Sequence, residues 1–231
     1  MARQALVTGA NRGLGLEFTR QLLARGERVV AACRHPGRAG ALNELTGEHP
    51  GRLHVLPVDV TNVRSIQALA RELPLVAERI DLLINNAGVL VAGERWPNLA
   101  AEHLEASFRT NAAGAVLLTQ ALDGFLAQGA RVANLSSRLG SLSETGGFGT
   151  PSYAISKAAQ NMATAQMAGA LAERGIVVVA LHPGWVRTDM GGEKAELPPE
   201  DSVRGLLAVI DGLTAQDSGR FLDWRGEPVA W

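Results

Sequence analysis

The sequence predicts a doubly wound parallel α/β sheet, and three observations carry that prediction. Short aliphatic and β-branched runs alternate with longer segments whose apolar residues recur at helical spacing. The loop after the first run is rich in glycine and opens directly into a helical segment. A proline inside the third run places that run at an edge of the sheet.

In chain order, strands are expected at 4–7 (QALV), 28–33 (RVVAAC), 53–58 (LHVLPV), 80–84 (IDLLI), 131–136 (RVANLS) and 176–181 (IVVVAL), with a seventh through 219–223 (GRFLD). Most are nearly unbroken in apolar residues, as strands covered on both faces are. Helices are expected over 13–26, 62–73, 99–128 and 151–175. The first and last end at Gly26 and Gly175, which suit a left-handed C-terminal cap, and Pro151 suits a first helical turn. Strand and helix alternating in this way require crossover connections, hence a parallel sheet with helices on both faces. Pro57 cannot donate to a ladder, and the third strand is the edge in the order 3-2-1-4-5-6-7, so the two readings agree. No linker or repeat divides the chain, and one domain is expected over 1–231. The stretch 191–201 (GGEKAELPPED) reads as a surface flap.

With 231 residues, 46% of them hydrophobic, the chain can bury one sizeable core. A net charge of −1 gives no reason to expect nucleic acid or an anionic membrane as partner. Cys33 is the single cysteine and forms no internal disulfide, which points to a reducing compartment. The opening MARQALVTGA does not read as a signal peptide, and no apolar stretch reaches membrane-spanning length. A cytoplasmic protein is expected. The five histidines lack metal-ligand spacing, and no G-x-S-x-G elbow is present.

The loop VTGANRGLG (7–15) offers phosphate the open N–H groups and positive end of a helix. Thr8, Gly9, Asn11, Arg12, Gly13, Leu14 and Gly15 are therefore candidate cofactor-binding residues. The second strand ends in Cys33 and Arg34, where a dinucleotide fold selective for NAD usually carries a carboxylate. A guanidinium there would grip a 2′-phosphate that a carboxylate would repel. NADP(H) is the expected cofactor, with Arg12 adding a second positive charge. Farther along, the chain's only tyrosine, Tyr153, stands four residues before Lys157, one of just two lysines. That spacing puts both on one helix face.

DV (59–60), NNAG (85–88), SS (136–137), YAISK (153–157) and HPGWVRTD (182–189) follow in order. With the glycine loop, this set resembles the short-chain dehydrogenase/reductase family from residue 4 to the C-terminus, and the tail is similar to C-factor and sniffer-like carbonyl reductases. The resemblance implies a Rossmann-type domain and NADPH-dependent reduction of a carbonyl to an alcohol. It assigns the adenine to Asp59 and Val60, and the adenosine ribose to Asn86, Ala87 and Gly88. It assigns the nicotinamide side to Pro183, Gly184, Val186 and Thr188, and the catalytic set to Asn111, Ser137, Tyr153 and Lys157. An NADP(H)-binding signalling protein with little turnover and an NAD-dependent alcohol dehydrogenase are the competing readings; Arg34 weighs against the second.

A reduced carbonyl must gain a proton, and a tyrosine hydroxyl can give one, although its reference pKa is about 10. A neighbouring ammonium favours the phenolate, so Lys157 is expected to lower that value. Ser137 is expected to donate to the substrate oxygen. Its separation from Tyr153 is longer than the family usually shows, which leaves Ser141 and Ser143 as rivals; Ser137 is favoured because it ends the fifth strand. Asn111 falls inside a helical segment it suits poorly; the resemblance implies a local distortion there that holds a water relaying protons from Lys157. Val91, Trp96, Leu139, Trp185 and Met190 are candidates for an apolar substrate wall fitting ketones, aldehydes or quinones. Small residues at 111–115 and 157–170 suit close helix packing, and the resemblance adds a homodimer seam there, with a tetramer possible.

Overall fold

A computed structural model describes residues 2–231. Seven parallel strands form one sheet in the order β3-β2-β1-β4-β5-β6-β7: β1 Gln4–Thr8, β2 Arg28–Cys33, β3 Leu53–Pro57, β4 Ile80–Asn85, β5 Leu126–Leu135, β6 Val177–His182 and β7 Phe221–Asp223. This is the order expected from the sequence. Pro57 ends the outermost strand, opposite Cys33. The other outer strand, β7, is covered by the chain's own return: Asp223 donates its N–H to Glu227 at 2.8 Å, and Val229 donates to Phe221 at 2.9 Å.

Successive residues of a strand point to opposite faces, so each strand feeds two cores. In β1, Ala5 and Val7 join Phe18 and Leu22 of α1 (Gly13–Ala24) and Val203, Leu206 and Ile210 of α7 (Pro199–Gly212). Leu6 joins the opposite core, with Ile66 and Leu69 of α3 (Val63–Glu72), Leu118 of α5 (Gly114–Ala121) and Ala168 of α6 (Pro151–Leu171). Asn62 caps α3, its side-chain oxygen accepting from the N–H groups of Arg64 and Ser65. Gly26 and Gly175 hold the positive φ expected of them.

Three expectations need correction. Two helices went unread: α2 (Gly40–Glu48), which buries only Leu42 and Leu45 between glycines, and α7. The flap expected to 201 ends at Pro198, because Pro199 is already the first residue of α7. The long helix expected over 99–128 is three pieces: α4 (Ala101–Ser107), a π-helical turn at Phe108–Ala113, and α5. Residues 126–128, read as its end, begin β5 instead; Gly129 at φ 74° and a shift of register at the start of the strand accompany the change.

Candidate active site

The C-terminal ends of β1, β4, β5 and β6 open into a cleft of about 400 Å³. Gly9, Arg12, Gly13 and Leu14 form one wall. No side chain caps α1, so its first N–H groups remain open for an anion. Thr8 ties this wall to the next: its hydroxyl accepts from the N–H groups of Asn86 and Ala87, both at 3.0 Å. Asn86 reaches back to the carbonyl of Thr8 at 2.8 Å. At Gly15 a Cβ would stand 2.3 Å from the Gly9 carbonyl, so only glycine permits this approach. Asn11 is exposed and does not line the cleft. A glycine cradle, open helical N–H groups and an exposed Arg34 with no ion-pair partner among the described residues together fit a phosphate-bearing cofactor. Arg12 is paired with Asp189 at 3.1 Å across the cleft.

Asn86, Ala87 and Gly88 line the floor beside Pro183 and Thr188, while Val186 is buried behind them and Gly184 turns with φ 85°. Asp59 and Val60 follow β3 but do not line the cleft; Asp59 binds Thr61, and Val60 packs against Gly114.

Tyr153 and Lys157 meet at the cleft floor on the first two turns of α6, with the ammonium 5.6 Å from the phenol ring centre. Burial pushes the Tyr153 phenol up to about 12, against a downward pull from hydrogen bonding with Ser137. The expectation that Lys157 lowers this value is therefore corrected, because desolvation disfavours the phenolate more than its neighbours favour it. Burial also pushes Lys157 down to about 7. Its ammonium donates to the Leu135 carbonyl at 2.6 Å and to the Gln160 side-chain oxygen at 2.8 Å.

The Ser137 hydroxyl accepts from the N–H of Leu139 and lies beside the Tyr153 phenol, to which its own proton can be turned. Its rivals are engaged elsewhere: Ser141 is buried and accepts from Glu144, and Ser143 donates to the Trp231 carbonyl. A Cβ at Gly140 would fall 2.7 Å from the backbone of Lys157, so glycine lets the turn bearing Ser137 lie directly on α6. Asn111 lies in the π-helical turn, a local distortion of the helix. Both N–H donors of its side chain are taken, by the Val89 carbonyl and the Ser156 hydroxyl, and its oxygen accepts from the N–H of Val89. It thereby pins the segment after β4 onto α6.

Two further residues escaped the sequence reading. Glu94 is buried and accepts from both the N–H and the hydroxyl of Ser152 at 3.1 and 2.9 Å, capping α6 where Thr150 makes no cap. Gln160 follows Lys157 by three residues, the spacing that faces it on a helix. Of the expected apolar wall only Met190 lines the cleft; Trp96, Leu139 and Trp185 stand exposed, and Trp96 meets Phe148 edge to face. His182 is half-buried, and desolvation holds it down to about 4, which keeps it neutral as an acceptor for the N–H of Arg138. No cluster of metal-ligating side chains occurs among the described residues.

A family profile described as short chain dehydrogenase matches residues 3–198. C-signal of Myxococcus xanthus is 47% identical over 154 residues, spanning 66% of this chain and 93% of that protein. The structure of NADPH-bound carbonyl reductase from chicken fatty liver superposes with a TM-score of 0.92 at 38% identity, covering 100% of this chain and 99% of that one. Carbonyl reductase Sniffer of D. melanogaster superposes with a TM-score of 0.94 at 29% identity over the whole of both chains. With the profile spanning most of its length and these relatives beside it, the chain belongs to the short-chain dehydrogenases, in the branch of the carbonyl reductases and Sniffer.

Proposed function

We propose that this oxidoreductase uses NADPH to reduce apolar ketones, aldehydes or quinones to alcohols. The observation that carries the reading is the pair at the cleft floor, a buried phenol and a lysine one turn along α6, with the Ser137 hydroxyl beside the phenol. A phenol held up at about 12 keeps its proton at neutral pH, the state required of a donor to a reduced carbonyl oxygen. Bound NADPH supplies the hydride. Ser137 donates to the carbonyl oxygen as negative charge develops there, and Tyr153 delivers the proton. Lys157 holds a cation beneath the phenol. Asn111 keeps the floor of the site registered against α6; the family resemblance implies a proton-relaying water at its π-helical turn.

Following NADPH absorbance across a panel of uncharged carbonyls tests the assignment; turnover confined to one highly charged substrate would count against it. A second reading, an NADP(H)-binding signalling protein with little turnover, draws on the likeness to C-signal. Cofactor binding without reduction of any carbonyl in the panel selects it.

Arg34 sets the cofactor preference in this reading. Arg34→Asp is expected to lower kcat/KM with NADPH by roughly tenfold to a hundredfold, the worth of one charge-assisted contact, while NADH is spared. Equal losses with both cofactors would remove Arg34 from 2′-phosphate recognition. Phe108, Leu117, Ile155 and Met162 are exposed apolar side chains on the π-helical turn, α5 and α6, and they are the proposed seam of a homodimer in the cytoplasm. Light scattering at micromolar concentration is expected to give twice the chain mass; a monomer overturns the seam.

A further inference from the structure

We propose that Gln160 is a positioning residue: together with the Leu135 carbonyl, its side-chain oxygen docks the Lys157 ammonium at the cleft floor and keeps it charged. The inference rests on the active-site reading above and goes beyond it by naming what controls the lysine.

The geometry is explicit. Lys157 and Gln160 are both almost fully buried, and the ammonium lies 2.8 Å from the Gln160 oxygen and 2.6 Å from the Leu135 carbonyl. An ammonium has three donors and no acceptor, so only the oxygen end of the amide can face it. Two donors are thus held by the protein, and one is left for the cleft. The Gln160 backbone is itself fixed. Its carbonyl accepts from the Thr164 hydroxyl at 2.9 Å, and Thr164 accepts from Asn134 of β5 at 2.9 Å.

The need for such an acceptor follows from burial. A buried ammonium tends to lose its proton, and a hydrogen bond to the charged form opposes that loss. The groups packed around Lys157 are Tyr153 on its own helix, Leu135 on β5, Gly88 after β4 and Gly140 after β5. Of these only Tyr153 titrates, and no carboxylate faces the ammonium. Burial is the sole cause of the downward shift of Lys157, which leaves the carbonyl and the amide oxygen to hold its charge.

The chain's lysine content supplies a direct readout. Lys157 and Lys194 are its only lysines, and Lys194 is exposed. Protein carrying 13C at the lysine ε-carbon therefore gives two side-chain signals, assigned with Lys194→Arg. Gln160→Met keeps the length of the side chain and removes the oxygen, with Gln160→Leu as a second apolar variant should the first fold poorly. In either variant the Lys157 midpoint is expected to fall by about one pH unit, the worth of one charge-assisted hydrogen bond, while Lys194 stays in place. Gln160→Glu keeps an acceptor and is expected to titrate at or above wild type. A Lys157 midpoint in the apolar variants equal to wild type overturns the proposal, as does a glutamate variant that titrates with them. The same shift should appear in the pH profile of kcat, with KM for the carbonyl little changed. A shift in the NMR titration without turnover of any carbonyl keeps the role of Gln160 and defeats the enzymatic reading. Turnover without a shift does the reverse.

Discussion

Tyr153→Phe is expected to leave NADPH binding intact and to lower kcat for carbonyl reduction by roughly 10²–10⁴-fold, the usual worth of a positioned proton donor. Phenylalanine fills the same space in α6, so the loss reports the hydroxyl rather than the fold. Around the cleft the other ionisable side chains are Arg12, Asp189 and Lys157. Arg12 and Asp189 are paired at the exposed rim, and Lys157 is held by Leu135 and Gln160. None is placed as a substitute donor. Because the contact is made to charge that develops during the reaction, kcat and kcat/KM should fall together. Single-turnover kinetics with NADPH and an aromatic ketone separate this outcome from slow product release. Retention of more than about a tenth of the wild-type rate, well outside the range for a lost donor, would move proton transfer to another group.

Gly15→Ala is expected to strike both stability and cofactor binding. The added methyl would meet the Gly9 carbonyl at 2.3 Å and the Asn86 amide at 2.5 Å. The first contact is backbone, so no rotamer relieves it, and α1 must move away from β1. Overpacking of this kind costs about 3 kcal/mol, the upper part of its usual range. For a chain of this size that corresponds to a fall in Tm of about 6–12 °C. The same displacement lifts the helix N-terminus from its place below Gly9, so NADPH affinity should drop at least about tenfold, or about 1.4 kcal/mol. Thermal melts and fluorescence titration measure the two effects. A variant with wild-type Tm and Kd would mean that the loop is slack where the structure has it rigid.

The order and direction of the strands were legible because the inner ones are buried on both faces and each reads as a short apolar run. Pro57 located one edge before any coordinate was known. The helices were less uniform. In α7 the residues Val203, Leu206, Leu207 and Ile210 keep a helical period, but Pro198 and Pro199 at its start read as loop. In α2 two buried leucines between glycines carry too little pattern to stand out. Residues 126–130 are apolar or small except Gln128 and follow a long helical segment, and nothing local tells them that they will begin the strand that pairs with β4. At the site, the glycine loop and the Tyr153–Lys157 spacing were visible because both are local signals. The direction of the Tyr153 shift was not, since burial depends on what the rest of the chain stacks over the phenol. Glu94 shows the same limit: 58 residues separate it from Ser152, and only the folded chain brings them into contact.

The two margins of the sheet share a consequence. One is a five-residue strand ended by Pro57, and the other is zipped shut by residues 227–229. Neither side leaves a long rail of vacant amides and carbonyls on which a foreign strand could crystallise. Strand-to-strand joining of two copies is thereby disfavoured. The backbone that would template fibrous growth is cut short at one border and covered at the other.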